Sequence, residues 1–379
     1  MTITNALLGA NQIGVVLGSS GATNLLTVVN VRILQRTNYA CAGSAVTALF
    51  SLTNSFGPVE WTLTPANALF APTLSDPSAA AVEVTPGRLA GTFTVTCKSS
   101  LRPDVSDTAT LIIFAIRPPL LVKHPDGGDF VDSPEKLNVL VNQSATFKAT
   151  NVLGRPFPQD SPSWFYVDAL SGPNDTKTTT NGFASSADQR FPLEASTGLP
   201  TASHSILVAR YVLGLHTIQS SASTSAIEDG GHGWITVRDR LLNTITTYGL
   251  WPDTLSPNPD VVDNGPGTDV RINLGGGADS PNGGSQNRYF LLKIAQYNEL
   301  MQYVGENSGW NFINNCSYWA RGAVAAATGD SISAGFAPPT PLTLGNNITT
   351  AESGDIAPTD PTHPKGASFR QNLIIEAGK

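Results

Sequence analysis

The chain is short of charge, of cysteine and of unbroken apolar sequence. Only 13% of its 379 residues are Asp, Glu, Lys or Arg, and the formal net charge is −7. The sequence pI is about 5.2. No Lys/Arg-rich block occurs and the aromatics are not interleaved with basic residues, which excludes the phosphate-neutralising surface of a nucleic-acid binder. The same acidity gives no attraction to an anionic membrane surface. No run approaches the ~20 apolar residues of a membrane span. The first nine residues, Met1 to Gly9, lack the basic n-region of a secretory signal. The expectation is a soluble chain made in the cytoplasm and, if it acts outside, carried by a specialised secretion system. Three cysteines are present, Cys41, Cys97 and Cys316, and an odd number leaves at least one thiol free.

What is abundant points to β-structure. There are 35 Gly and 27 Pro alongside many Ser, Thr and Asn, a mixture that suits short strands and frequent turns. A hydrophobic share of 40% is ample for ordinary cores. The length predicts two or three domains. Residues 1–28 read as an extended arm or docking segment. Within 29–118, strands are expected at 45–52, 59–63, 80–84, 91–97 and 108–116, separated by Pro, Gly, Asp and Ser clusters, as in a Greek-key sandwich. This portion resembles bacterial immunoglobulin-like domains. Cys41 and Cys97 flank Trp61 in the cysteine–tryptophan–cysteine order of such domains, but Cys41 precedes its strand, so a disulfide between them stays open.

Pro118-Pro119 reads as a linker. A second sandwich-like domain is expected over 119–212, with strands at 137–141, 145–149, 164–167 and 206–212 and a polar, mobile loop over 172–186. Gly214 to Ser221 echoes Gly91 to Ser100, a hint of the same sandwich pattern. From 213 to 379 the character changes. A hairpin is expected with 231–237 pairing 245–251, then a Gly/Pro/Asp-rich loop over 252–284. The spacing of Phe290, Ile294, Tyr297, Met301 and Val304 predicts a helix over 286–304 ended by Gly305. A second helix is predicted from Cys316 to Ala327, ending at Gly329. The tail from Pro338 reads as irregular.

The chemistry gathers in this last segment. Asn314 or Asn315 can cap the second helix, which places Cys316 in its first turn. There the helix dipole and free N–H groups favour thiolate over thiol and can receive a developing oxyanion. The plain alternative is a small buried hydrophobe. His232 opens a strand on the same face as Trp234 and Thr236, between Gly231 and Gly233, and is the candidate base; its plain alternative is a surface histidine. His216 is its serious competitor among the other histidines, His124, His204 and His363. A third, orienting group is placed at Asp253, with Tyr248 or a main-chain carbonyl as substitutes and a solvated turn aspartate as the default.

Gly231-His232-Gly233-Trp234-Ile235, Tyr248-Gly249-Leu250-Trp251-Pro252 and Asn315-Cys316-Ser317-Tyr318-Trp319-Ala320 together resemble the circularly permuted papain-like group related to NlpC/P60 peptidases, over residues 213–330. The resemblance implies Cys316 as nucleophile and His232 as general base. It implies peptidoglycan peptides or lipid acyl groups as substrates. The family's polar third residue has no unmistakable counterpart. Similar domains without export signals occur among toxins delivered by type VI secretion, which implies an immunity protein or a secretion-apparatus component as partner.

Other motifs are discounted. Gly329-Asp330-Ser331 with Asp360-Pro361-Thr362-His363 imitates a GDS-type esterase, but too few residues separate the blocks for βαβ layers. Asp260, Asp263, Asp269 and Asp279 do not have EF-hand spacing and read as turn residues rather than metal ligands. Gly275-Gly276-Gly277 opens no helix, so it makes no phosphate cradle. The expectation is therefore two β-sandwich, immunoglobulin-like domains followed by an α+β papain-like domain. It would be a thiol-dependent hydrolase of amide bonds in peptidoglycan stem peptides, with no cofactor and no metal. The rivals are a lipid acyl hydrolase or transferase of the same fold, and a non-enzymatic adhesin or phage-type structural protein.

Overall fold

The computed structural model describes residues 9–17, 20–53, 55–66, 70–123, 129–132, 136–158, 161–198, 201–218, 231–251, 269–273, 279–281, 284–306, 309–311, 313–330, 332–335 and 339–351. The N-terminal segment is a hairpin. Gly9–Leu17 pairs antiparallel with Ser20–Val28 as a two-stranded sheet of its own, not an extended arm.

Next comes a sandwich. Its four-stranded sheet orders Thr37–Cys41, Ser106–Phe114, Gly91–Ser99 and Val59–Thr64; the three-stranded sheet orders Ala48–Ser51, Ala81–Thr85 and Thr73–Leu74. Alternate residues of each strand point inward, the period-2 pattern of half-buried strands. Val82 and Val84 face Trp61, Phe93, Val95 and Leu111 in one core. Cys41 closes its strand rather than preceding it. All three cysteines are free thiols. Cys41 lies opposite Phe114 and Cys97 opposite Asp107, at the two ends of one intervening strand. Seven residues of strand separate those ends by roughly 20 Å, far beyond disulfide reach. Burial, with the Asp107 charge nearby, pushes the Cys97 thiol up to about 12.

Pro118-Pro119 is not a linker. Both prolines sit inside the strand Ile116–Lys123, where its pairing with Ala145–Asn151 breaks register between Arg117 and Leu121. Proline has no N–H to donate to a ladder, so such an interruption is where strands accept it. This strand, with Phe130–Asp132, Ala145–Asn151 and Thr176–Thr179, forms one sheet of a second sandwich. The last of these strands lies within the segment expected to be a mobile loop. The facing sheet orders Lys136–Leu140, Thr201–Ala209, Phe191–Ser196 and Ser163–Phe165. The expected strand at 206–212 is really the ends of two, divided at Arg210.

The C-terminal unit has a five-stranded antiparallel sheet in the order Val270–Ile272, Thr244–Leu250, His232–Asp239, Tyr211–Ile218 and Gln286–Leu292. The described part of the Gly214 echo, to Ile218, thus lies in the fourth strand of this sheet, not in a sandwich. Residues 286–292 form a strand, and helix α1 begins only at Ile294, running to Glu306. The helical spacing of Phe290 with Ile294 was fortuitous: Tyr289-Phe290-Leu291-Leu292 is buried on both faces of the sheet, and a continuous apolar run suits a doubly covered strand. Helix α2 is Cys316–Thr328, and Gly329 at φ 73° ends it with its N–H on the Ala325 carbonyl, as a left-handed cap requires. The tail is partly ordered: α3 spans Pro341–Ala351 and buries Leu344 and Ile348. Among the described residues no helix is long and apolar enough to cross a membrane.

The three helices cover one face of this sheet. Leu213, Leu215, Ile235, Val237, Phe290 and Leu292 meet Trp319, Ala320, Ala323, Val324 and Ala327 of α2; alanines on that helix let its backbone approach the strands. On the opposite face, Val212, Tyr289 and Leu291 pack on Leu140, Leu207 and Ala209 of the second sandwich. Asp188, also from that sandwich, accepts the first N–H groups of α1, from Ile294 (2.7 Å) and Ala295 (3.1 Å). A carboxylate there satisfies orphan donors and complements the dipole. Asp188→Ala is expected to destabilise the chain by about 1 kcal/mol, read as a lower urea midpoint for the C-terminal unit.

Candidate active site

The local sequence around Cys316 folds as the spacing predicts. Asn315 is extended, and its side-chain carbonyl accepts from the Ser317 and Tyr318 N–H groups at 3.2 Å each. Its own amide is anchored on the Pro339 carbonyl at 2.7 Å, tying the helix start to the approach to α3. The Trp319 N–H goes to the Asn315 carbonyl. The Cys316 N–H belongs to the first turn, where helix N–H groups have no intrahelical partner, and it lies beside the sulfur. Cys316 retains some exposure, although protein crowds it closely.

His232 and Cys316 come together. Burial alone raises a thiol's pKa, but the His232 charge, the His232 hydrogen bond and the Gly233 N–H override it, and Cys316 lies below the ordinary thiol range. Burial alone lowers an imidazole's pKa. For His232 the Cys316 thiolate and the Asp279 carboxylate overcome it, and the imidazole rises to about 9. The pair is thus shifted toward thiolate and imidazolium. A thiolate held this way is the reactive form of cysteine.

The residue behind the imidazole is Asp279. Its Oδ1 lies 2.7 Å from His232 Nε2, with the carboxylate fully buried. The two atoms make an ion pair, with the oxygen off the straight N–H axis. Nε2 being engaged there, Nδ1 is the nitrogen that remains for the sulfur. Trp251 touches both partners: its ring centre is 4.0 Å from that of His232, and its Nε1–H reaches Asp279 Oδ2 at 3.2 Å. Trp234 also stacks on His232, at 5.8 Å and 8°. Its Nε1–H holds the Ser280 carbonyl at 3.1 Å, next to Asp279. Two indoles thus screen the His–Asp pair and fix the turn that brings the carboxylate in.

Gly249 makes that approach possible. It pairs with Trp234 across the hairpin, and any Cβ on it would overlap the Asp279 carboxylate. Gly249→Ala is expected to cost about 1–3 kcal/mol through overpacking, measured as a lower thermal midpoint. The displaced carboxylate would also slow thiol alkylation at mildly acid pH.

Asp253 lies outside the described residues. Asp279, read from sequence as a turn residue, is the carboxylate beside His232. A bare loop aspartate carries no helical or strand periodicity, and only the cross-strand position of Gly249 and the two tryptophans reveal it. Tyr248, the substitute third group, instead directs its hydroxyl to Met301 on α1. His216 is fully buried and bonded to Asn287 and Thr236. Asp330, part of the esterase-like motif, pairs with Arg288 at 3.0 Å; Ser331 and His363 lie outside the described residues, as do Asp260, Asp263 and Gly275-Gly276-Gly277. Asp269 accepts from the Trp310 N–H. Among the described residues no group of three or more His, Cys, Asp or Glu side chains is arranged to hold a metal ion.

No family model matches the chain. No curated protein matches it either. Among solved structures, the titin I9–I11 tandem is 13% identical, covers 52% of this chain and 73% of its own, and has a TM-score of 0.26. A C-terminal 282-residue intimin fragment, solved with the intimin-binding domain of its translocated receptor, is 13% identical over 50% of this chain and 67% of its own, TM-score 0.28. Domains 5–6 of the S-layer protein SbsC are 16% identical over 52% of this chain and 99% of theirs, TM-score 0.19. Likeness at these scores carries no argument about chemistry. The chain is mostly β-sandwich, and its structural neighbours are immunoglobulin-like.

Proposed function

We propose that the C-terminal unit is a cysteine hydrolase that cleaves amide bonds, with peptidoglycan stem peptides as substrate. One observation carries the reading: a thiol at a helix N-terminus, its pKa lowered by a buried imidazole that is itself backed by a carboxylate. A nucleophile, a base and an orienting group in contact are the working parts of acyl transfer. The permuted papain-like resemblance and the helix-on-antiparallel-sheet arrangement point the same way. So does the order of histidine strand before cysteine helix.

In this mechanism the Cys316 sulfur attacks the scissile carbonyl carbon. The carbonyl oxygen gains the electron pair and is received by the Cys316 N–H at the start of α2. The imidazolium of His232 then gives its proton to the leaving amine as the C–N bond breaks, leaving a thioester. Neutral His232 next takes a proton from water. The hydroxide adds to the thioester, the C–S bond breaks, and thiolate and imidazolium are restored. Asp279 keeps the ring oriented and stabilises its charged form throughout.

Stem peptides are favoured by the family resemblance, as is an antibacterial role with delivery by a specialised secretion system. Incubation of purified sacculi with the full chain tests the assignment. Soluble muropeptides with new amino and carboxyl termini are expected, and none after pretreatment with iodoacetamide. If a thiol that iodoacetamide titrates rapidly releases nothing from sacculi, cell-wall cleavage is ruled out. Release of fatty acid from phospholipid vesicles by the same thiol would assign the lipid acyl reading instead.

A further inference from the structure

Beneath Trp234 lies a second histidine that the mechanism does not use. His216 sits in the strand Tyr211–Ile218, next to that of His232, its ring 5.4 Å from that of Trp234, with no exposed surface. Its Nδ1 is 2.6 Å from Asn287 Oδ1 and its Nε2 is 2.8 Å from Thr236 Oγ1. Asn287 Oδ1 also accepts the Gly284 N–H at 2.6 Å, and Asn287 Nδ2 donates to the Gly284 carbonyl at 2.9 Å. An amide oxygen only accepts, so Nδ1 must carry a proton; burial disfavours a second proton on the ring, and Nε2 then accepts from the Thr236 hydroxyl. The imidazole is thereby fixed as one neutral tautomer. Gly214 provides the room, because a Cβ there would collide with both His216 Nε2 and Thr236 Oγ1.

The network ends on the segment that carries Asp279. That segment is held at Ser280 by Trp234, at Gly284 by Asn287, and at Ser285, whose N–H goes to the Thr217 carbonyl at 2.7 Å. Of these anchors, Asn287 grips both the N–H and the carbonyl of one residue, and His216 Nδ1 holds the Asn287 oxygen from behind. We infer that His216 and Asn287 are positioning residues: they hold the Asp279 turn against His232 and so fix the imidazole beside Cys316. The inference rests on the hydrolase reading above, since it concerns the same thiolate.

The test follows the rate of Cys316 alkylation by iodoacetamide in the full chain between pH 4 and 10, with thermal melts to verify folding. Asn287→Ala and His216→Ala are expected to move the acid limb upward by about one pH unit, making alkylation below the wild-type midpoint roughly tenfold slower. His216→Gln should restore most of the wild-type profile, because a glutamine amide can donate to Asn287 and accept from Thr236. Thr236→Val keeps the side chain's shape but removes the hydroxyl, and serves if the alanine variants do not fold; a smaller upward shift is expected. Folded variants with an unchanged profile would overturn the inference while leaving the hydrolase reading intact. A wild-type profile with the limb of an ordinary thiol would sink the hydrolase reading itself, and this inference with it.

Discussion

Exchange of Cys316 for alanine is expected to reduce muropeptide release to the uncatalysed background, a loss of about 10⁴-fold or more. The sulfur supplies the new bond, so no neighbouring group can replace it. Ser317 places a hydroxyl oxygen 3.9 Å from the sulfur, but it is fully buried and its oxygen would remain protonated at neutral pH. Cys316→Ser should be almost as inactive, because an alcohol does not form the ion pair with His232. Both variants should melt near the wild type, since α2 keeps its Asn315 cap and its apolar face. Full retention of turnover in Cys316→Ala would end the nucleophile assignment. Loss of turnover together with loss of folding would point instead to a packing role.

Replacement of His232 by alanine is expected to act twice. Turnover should fall about 10²- to 10⁴-fold as the proton donor is lost. Alkylation of Cys316 at pH 6 should also slow at least tenfold, because each unit of thiol pKa recovered lowers the thiolate fraction tenfold. The wild-type pH profile has a definite sign. The imidazole rises to about 9, so its charge, and the activity that depends on it, are present below that value and fade as pH rises through it. The thiol is depressed, so the acid limb marks protonation of the thiolate as pH falls. In His232→Ala the alkaline limb should vanish and the acid limb should move up. A variant in which alkylation stays as fast at pH 6 would show that the helix terminus alone ionises the thiol.

Much of the local structure was legible. The asparagine cap, the cysteine in the first helical turn and the left-handed Gly329 stop depend on contacts within a few residues, which is why they read directly. The hairpin of His232–Asp239 with Thr244–Leu250 was equally plain, since alternation and turn residues are local signals. The strand at 286–292 was not, because four consecutive apolar residues suit either a buried strand or a helix. Only the second sandwich on one face and α2 on the other decide between them. Pro118-Pro119 misled for a related reason. Proline pairs mark turns unless a broken register lets a strand absorb them.

The candidate site divides along the same line. From residue type and local spacing alone came a free thiol poised at a helix start and an imidazole at a strand start. Their meeting, the carboxylate that backs the imidazole and the buried histidine beneath it required the folded sheet. Asp279 approaches His232 through the gap over Gly249, between two tryptophans from neighbouring strands, and no sequence interval encodes that gap. Charge states follow from the same long-range packing: proximity lowers the Cys316 thiol and raises the His232 imidazole, burial lowers His216, and none of these shifts exists until the chain closes around them.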